Sequence, residues 1–210
     1  MDNSNRSYFH KSVILTTILG LGLILLSFTN GKDQLFLLLN GNGDFLADFF
    51  FNYCTYLGDG IIWVPVVLLF IFFRKNLLPL VFSAIIFSTL LVQVSKNYVF
   101  PNEARPTNAI TETNLIHTVK GVELYTNNSF PSGHTTTVFC IYILACLAIG
   151  GNTILIIGFI LAMLTGYSRI YLAQHFPLDV GAGMITAVVS IYISIWVQQL
   201  FNNKQKQQTN

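Results

Sequence analysis

Long apolar runs, separated by short polar segments, dominate the hydrophobicity pattern of the chain. A helix needs about 20 apolar residues to cross roughly 30 Å of hydrocarbon, and the shorter runs reach that length only when flanking residues extend them. The pattern therefore predicts an all-α integral membrane bundle of six transmembrane helices. The predicted spans are residues 12–29 and about residues 60–73, 77–95, 134–149, 153–167 and 178–200.

The segments between these runs carry turn and interface signals. Asn30-Gly31, residues 40–43 and residues 150–152 are typical of tight turns, and residues 97–130 form the longest polar loop. Residues 45–56 are crowded with aromatic side chains, which favours a helix that anchors the protein along the membrane interface. The alternative is that these rings border an active site and admit a lipid chain sideways from the membrane.

Polar ends, residues 1–11 and 201–210, enclose the predicted bundle, and we interpret residues 1–210 as a single membrane domain. The first apolar run is too long for a signal peptide, lacks a small-residue cleavage site and is followed by further spans. We therefore expect it to be retained as a helix. The Gln/Lys/Asn-rich end of the chain predicts a disordered tail.

The composition agrees with a membrane protein and excludes several other classes. Hydrophobic residues make up 53% of the chain and charged residues 10%, whereas soluble proteins carry about 25% charged residues. The net charge of +2 comes without a basic block that would indicate a nucleic-acid partner. The three cysteines follow no metal-ligand spacing, so we interpret them as small core residues.

The distribution of charge predicts an orientation in the membrane. Six spans put both termini on one side, which carries six cations and one acid, whereas the other side carries five cations and eight acids. Arg74 and Lys75 lie in a short connection on the terminal side, and such cations are typical of cytoplasmic loops. We expect a multi-pass protein of the cytoplasmic (inner) membrane with both termini in the cytoplasm.

The most unusual stretch, residues 168–179, joins two apolar runs. It contains Arg169, His175 and Asp179, and ionisable groups at the edge of hydrocarbon commonly mark a functional site. His175 and Asp179 are four residues apart, so one helical turn would place both side chains on the same face. A carboxylate in that position prepares an imidazole for catalysis. The alternative is a pair that only caps a helix at the membrane surface.

Two further stretches fall on the same, non-cytoplasmic side. The cations Lys96 and Arg105 can converge there with Arg169 around an oxyanion. Ser132-Gly133 precedes a helix start, where free N–H groups favour an anion, and the adjacent His134 can serve as a general acid. Neither a carboxylate cage nor a His/Cys cluster suggests a metal. The pattern predicts phosphoryl transfer without a metal or another cofactor.

These motifs resemble the signature of the type-2 phosphatidic acid phosphatase superfamily, K-x6-RP, PSGH and SR-x5-H-x3-D. Residues 131–134 match the second motif and residues 168–179 the third, whereas eight residues rather than six separate Lys96 from Arg105-Pro106. The three motifs span residues 96–179. The resemblance implies His175 as nucleophile, Asp179 as its orienting partner and His134 as acid and base. It also implies phosphate binding by Lys96, Arg105, Ser132, Gly133 and Arg169.

The resemblance implies a metal-independent lipid phosphatase that works on the outer face of the membrane through a phosphohistidine. Its substrate would be a membrane lipid phosphate or diphosphate, namely undecaprenyl diphosphate, phosphatidylglycerol phosphate, phosphatidic acid or phosphorylated lipid A, with a slight preference for a prenyl diphosphate. The oligomeric state stays open. One alternative is a lipid phosphotransferase that uses the same intermediate, and another is a non-catalytic protein that binds or transports lipid headgroups. The soluble haloperoxidases that share the pocket pattern are disfavoured by the six spans.

Overall fold

Helices are the regular secondary structure in the part of the chain that the structure, a computed structural model, describes. That part is residues 3–41 and 43–209, so Met1, Asp2, Asn210 and, within the predicted turn at 40–43, Asn42 lie outside it. No strand occurs among the described residues. The helices are α1 (Asn3–Asn30), α2 (Lys32–Leu39), α3 (Phe45–Cys54), α4 (Trp63–Phe73), α5 (Leu78–Val94), α6 (Pro106–Ala109), α7 (Gly133–Ala148), α8 (Asn152–Tyr171) and α9 (Pro177–Thr209).

Several of these helices are long and apolar enough to cross a membrane. The described residues contain four such helices, Asn5–Asn30, Lys75–Val99, Asn152–Tyr171 and Pro177–Lys204. A bent pair, Phe45–Gly58 and Gly60–Phe73, would make five if it acts as one span, and α7 is a shorter apolar helix. The chain is therefore an all-α protein with multiple apolar helices, and the predicted runs correspond to helices in every case.

The bend in the pair α3–α4 has a local cause. Short 3₁₀ turns at Thr55–Gly58 and Gly60–Ile62 flank Asp59, whose carboxylate accepts a hydrogen bond from the N–H of Ile61 at 3.0 Å. This cap satisfies a free N–H at the start of the second helix, and the two helices meet at 57°. The aromatic stretch that was predicted to lie along the interface is thus one arm of a broken helix.

Two helix ends differ from the sequence-based expectation. Helix α8 continues to Tyr171, so that Ser168 and Arg169 lie in its last turn and not in a loop. Helix α9 continues to Thr209, and the prediction of a disordered tail is wrong for residues 201–209. A polar tail can stay helical because it extends a helix that the bundle has already nucleated.

Helix α7 lies at the centre of the bundle and packs against α1, α5, α8 and α9. Its side chains Phe139, Ile143 and Leu144 are buried, as are Met184 and Ile191 of α9. Large apolar side chains cover the outer surface, for example Ile18, Phe28, Phe72 and Trp196. A surface of this kind suits contact with lipid rather than with water. Cys54, Cys140 and Cys146 are buried and unpaired, which confirms their interpretation as core residues.

Glycines allow α9 to approach its neighbours closely. A Cβ added at Gly181 would lie 2.6 Å from the carbonyl oxygen of Gly20 in α1. A Cβ added at Gly183 would lie 2.7 Å from the carbonyl oxygen of Ser132, at the start of α7. Small residues are used in this way where helices meet in membranes. The contact at Gly183 matters most for the site described below, because it holds the N-terminus of α7 against α9.

We expect Gly183→Ala to destabilise the protein. The added methyl group must displace the backbone of Ser132, and overpacking of this kind costs roughly 1–3 kcal/mol. Thermal unfolding of the detergent-solubilised protein should show a lower Tm. Gly22→Ala is the matched control, because no heavy atom lies within 4 Å of the added Cβ and alanine favours a helix. A Gly183→Ala protein as stable as Gly22→Ala would contradict the close contact.

Candidate active site

A tight turn between α8 and α9 brings the residues of the third motif together. The carbonyl of Arg169 accepts hydrogen bonds from the N–H groups of Gln174, at 2.9 Å, and His175, at 3.0 Å. Ala173 adopts a left-handed conformation with φ 54°, which lets the chain reverse. Pro177 is the first residue of α9, as its tolerance in a first helical turn predicts. The turn therefore places His175 two residues before the start of α9.

His175 and Asp179 face one another in the buried interior of this turn. The Nδ1 atom of His175 lies 3.4 Å from Oδ2 of Asp179, and the two side chains are 2% and 4% exposed. Oδ2 also accepts a hydrogen bond from the N–H of Phe176 at 3.0 Å. The proximity agrees with the spacing in the sequence, but its origin differs from the expected shared helical turn. His175 lies outside α9, and Asp179 reaches back over the first turn.

The environment of His175 keeps its imidazole neutral. Burial, reinforced by the nearby Arg105, Arg169 and Lys96, holds the pKa of His175 well below its usual value. The carboxylate of Asp179 lies at Nδ1, so a proton on that nitrogen leaves Nε2 as the free, nucleophilic atom. The arrangement can therefore attack an electrophilic phosphorus.

Ser129 joins this pair and was not identified from the sequence. Its hydroxyl donates to Oδ2 of Asp179 at 2.5 Å and lies 3.4 Å from Nδ1 of His175. A single serine in a polar loop rich in Asn and Thr carries no recognisable pattern. Only its position two residues before Pro131 of the second motif could have drawn attention to it.

Arg169 lies buried beside the pair and retains binding capacity. Its Nη1 donates to the hydroxyl of Thr55 at 2.6 Å, across the contact between α8 and the α3–α4 segment. Its Nε is the one buried side-chain nitrogen or oxygen atom without a hydrogen-bond partner in the described part of the chain. An unsatisfied buried N–H of a guanidinium group is costly unless an anion binds to it.

Arg105 is held by the turn that carries the histidine. Its Nη1 donates to both oxygens of Gln174, the backbone carbonyl at 3.0 Å and the side-chain carbonyl at 3.1 Å. Its Nε donates to the carbonyl of Asn127 at 3.0 Å. Burial lowers the pKa of Arg105 from its usual value, which an anion in the site would offset. Gln174 is a second supporting residue that the sequence did not reveal.

Lys96 reaches the same region despite the longer spacing of the first motif. It lies in a π-helical turn, Ser95–Val99, that extends α5. Its Nζ donates to the carbonyl of Asn128 at 2.6 Å, directly before Ser129. It also lies within electrostatic range of Arg105, Asp179 and Arg169. The two extra residues between Lys96 and Arg105 are thus accommodated, and the three cations surround one region.

The second motif forms the N-terminus of α7. Ser132 caps the helix, since its hydroxyl accepts a hydrogen bond from the N–H of Thr135, and its own N–H donates to the carbonyl of Asp179 at 3.0 Å. Gly133 is the first helical residue. In this structure Ser132 thus joins α7 to α9, and its binding of phosphate, like that of Gly133, stays a prediction.

His134 follows directly and lies between two cavities. One, of about 330 Å³, is also lined by Arg169, Gln174 and Tyr125. The other, of about 200 Å³, extends between α5 and α7 past Ser88 and Gln93. His134 is therefore half-buried beside the cations, where it can exchange a proton with a bound ester oxygen.

The described residues contain no group of three or more His, Cys, Asp or Glu side chains that could hold a metal ion. The absence of a metal from the reaction stays a prediction.

His117 lies outside the three motifs and pairs with Asp48 at 2.8 Å, and the hydroxyl of Tyr171 donates to the same carboxylate at 2.6 Å. This cluster ties the long loop to α3 and α8, which indicates a structural role for His117.

Comparisons with known proteins agree with the geometry. The sequence model described as the PAP2 superfamily matches residues 76–203. The chain is 31% identical over 176 residues to an undecaprenyl-diphosphatase of Sulfolobus acidocaldarius, covering 79% of this chain and 77% of that protein. It is 39% identical over 77 residues to the bacitracin transport permease protein BcrC of Bacillus licheniformis, 37% of each chain. The crystal structure of Aquifex aeolicus LpxE is similar with a TM-score of 0.65 and 33% identity, covering 77% of this chain and 92% of that one.

Proposed function

This chain belongs to the PAP2 superfamily, and from that premise we propose that it is a phosphatase that hydrolyses a lipid-linked phosphate or diphosphate. The observation that carries the proposal is the buried His175–Asp179 pair, at 3.4 Å, beside a cluster of three cations. A neutral imidazole held at one nitrogen by a carboxylate is a prepared nucleophile. The surrounding guanidinium and ammonium groups suit the charge of a phosphoryl group.

The reaction proceeds in two steps on this chain's own residues. In the first, Nε2 of His175 forms a bond to phosphorus while the bond from phosphorus to the leaving oxygen breaks. His134, protonated once the negative charge of the substrate offsets the neighbouring cations, donates a proton to that oxygen and becomes neutral. In the second, His134 removes a proton from water, whose oxygen attacks the phosphohistidine and releases inorganic phosphate and neutral His175. Arg105, Arg169 and Lys96 stabilise the negative charge in both steps, and no metal takes part.

We further propose that the substrate is a membrane lipid, with a prenyl diphosphate as the first choice. The apolar outer surface of the bundle supports an amphiphilic substrate, because the site lies among helices whose outer surfaces carry large apolar side chains. The relative from Sulfolobus acidocaldarius is named as an undecaprenyl-diphosphatase, which supports a diphosphate. In this proposal the four candidate spans, the bent pair α3–α4 and α7 form six crossings. Both termini are then cytoplasmic, and the site faces the outside.

We expect the purified protein to release inorganic phosphate from at least one of four lipids in the presence of EDTA. The lipids are undecaprenyl diphosphate, phosphatidylglycerol phosphate, phosphatidic acid and phosphorylated lipid A, each in detergent micelles. Since the three cations supply the positive charge, the rate with EDTA should equal the rate with added Mg²⁺. The measurement is phosphate release over time, with identification of the lipid product.

Each other outcome rejects a defined part of the proposal. Activity that disappears in EDTA and returns with a divalent ion would reject the metal-free mechanism. A phosphorylated second lipid in place of free phosphate would identify a phosphotransferase. If the protein unfolds cooperatively on heating, and is therefore folded, but releases phosphate from none of the four lipids, lipid phosphatase activity is rejected.

A further inference from the structure

Ser129 makes the shortest contact to the catalytic carboxylate, yet no motif of the family signature contains it. Its side chain is 1% exposed, and its hydroxyl lies 2.5 Å from Oδ2 of Asp179. The contact between His175 and the same oxygen is longer, at 3.4 Å. The serine is therefore the side chain closest to Asp179, and it lies at the Nδ1 edge of the His175 ring.

Two of the proposed phosphate-binding cations anchor the backbone directly before Ser129. The N–H of Ser129 donates to the carbonyl of Glu103 at 3.0 Å. The two preceding carbonyls are also engaged, that of Asn127 by Nε of Arg105 at 3.0 Å and that of Asn128 by Nζ of Lys96 at 2.6 Å. The segment 127–129 is thus bonded to the first motif at every residue. Such backbone anchoring fits a residue whose side-chain orientation is important, in contrast to an ordinary serine in a loop.

The chemistry of the contact explains what the hydroxyl does. Because Ser129 donates its proton to Asp179, a lone pair of its oxygen remains directed toward the Nδ1–H of His175. When His175 forms a bond to phosphorus, its ring becomes positively charged. A carboxylate held in place by a charge-assisted hydrogen bond can stabilise that charge without reorganisation.

We propose that Ser129 is a positioning residue that acts through Asp179: its hydroxyl fixes the carboxylate against Nδ1 of His175 and so keeps Nε2 directed at phosphorus. The inference rests on the proposed phosphatase activity. Its competitor is a purely structural hydroxyl that ties the loop to α9. The two roles predict different effects when the hydroxyl is removed. Loss of a positioning residue lowers kcat and leaves substrate binding intact.

The test compares Ser129→Ala and Ser129→Thr with the wild-type protein on the lipid that it hydrolyses fastest. Threonine retains the hydroxyl, and the adjacent apolar cavity of about 280 Å³, which Ser129 itself lines, gives room for the extra methyl group. Ser194→Ala is the matched control, since Ser194 is also fully buried and its hydroxyl donates to the carbonyl of Ser190 at 2.7 Å, far along α9. The measurements are kcat, KM and the dissociation constant of inorganic phosphate.

Loss of a hydrogen bond to a charged group predicts a kcat roughly 10- to 100-fold lower in Ser129→Ala, with KM and phosphate affinity within about twofold of wild type. Ser129→Thr should recover most of the rate, and Ser194→Ala should match wild type. A wild-type rate in Ser129→Ala, an equal loss in the threonine variant, or a loss confined to KM would each overturn the inference.

Two further results keep the inference separate from folding and from the proposed function. If Ser129→Ala does not fold, Ser129→Cys replaces it, because the thiol has a similar size but donates weakly. The cysteine variant must then be slower than the threonine variant at unchanged KM, and equal rates overturn the inference. If the wild-type protein itself releases no phosphate, the proposed function fails first. A normal wild-type rate shared by all Ser129 variants defeats the positioning role alone.

Discussion

Replacing His175 by alanine is expected to abolish turnover while leaving phosphate binding in place. Loss of an attacking side chain in enzymes with a covalent intermediate lowers kcat by roughly 10⁴- to 10⁶-fold. The fold should survive, because the buried imidazole is neutral and Asp179 keeps its hydrogen bonds from Ser129 and from the N–H of Phe176. The substitution leaves the three cations that we propose as phosphate ligands unchanged.

The experiment measures phosphate release together with the affinity for inorganic phosphate. Affinity is read from the increase in Tm at a series of phosphate concentrations. His10→Ala is the control, since His10 is an exposed histidine near the start of α1 and lines a different cavity, together with Phe9 and Tyr192. Appreciable turnover in His175→Ala would remove this residue as the nucleophile. Loss of activity in His10→Ala would indicate a general effect of substitution.

Replacing Arg169 by glutamine is expected to impair binding and catalysis together. The guanidinium is buried, is held by Thr55 and presents an Nε without a partner among the described residues. Removal of one donor from an oxyanion site lowers catalysis by roughly 10²- to 10³-fold. Since we propose that the group contacts phosphate before and during the reaction, we expect the affinity for inorganic phosphate to fall as well.

Arg169→Lys should restore little of this loss. An ammonium group is compact and lacks the planar fork that lets one side chain contact Thr55 and an anion at once. Arg74→Gln is the matched control, because Arg74 is an exposed arginine directly after the last residue of α4. Phosphate affinity that stays normal in Arg169→Gln would contradict the role of Arg169 as a phosphate ligand.

Stability offers a second, independent measurement for Arg169. In the absence of an anion, this buried cation lies beside the like charge of Arg105. We therefore expect Arg169→Gln to leave the Tm without phosphate at or above that of wild type, in contrast to the usual cost of removing a buried group. Together the two variants separate the roles at the site: His175→Ala retains phosphate and loses turnover, whereas Arg169→Gln loses both.

The sequence by itself determined the helical architecture and the family, and it predicted the chemistry of the site. Apolar runs such as residues 12–29 and 178–200 predict helices because backbone groups in hydrocarbon must bond within their own segment. The two histidines, Asp179 and the cations could be named because their residue types, in that order, suit phosphoryl transfer. These inferences rest on neighbours in the chain, and the helices and the family are confirmed. The role of each residue stays a prediction.

The tertiary structure alone decided which distant groups complete the site. Ser129 lies 50 residues before Asp179, and Thr55 lies 114 residues before Arg169, yet each pair is in hydrogen-bond contact. No local rule connects such residues, since their proximity depends on how α8 and α9 pack against the loop and the bent helix. The end of α8, beyond Arg169, likewise depends on a carbonyl that accepts two N–H groups across a turn. Hydrogen bonds of this kind act between atoms that only folding brings within about 3 Å, so they leave no pattern in the chain.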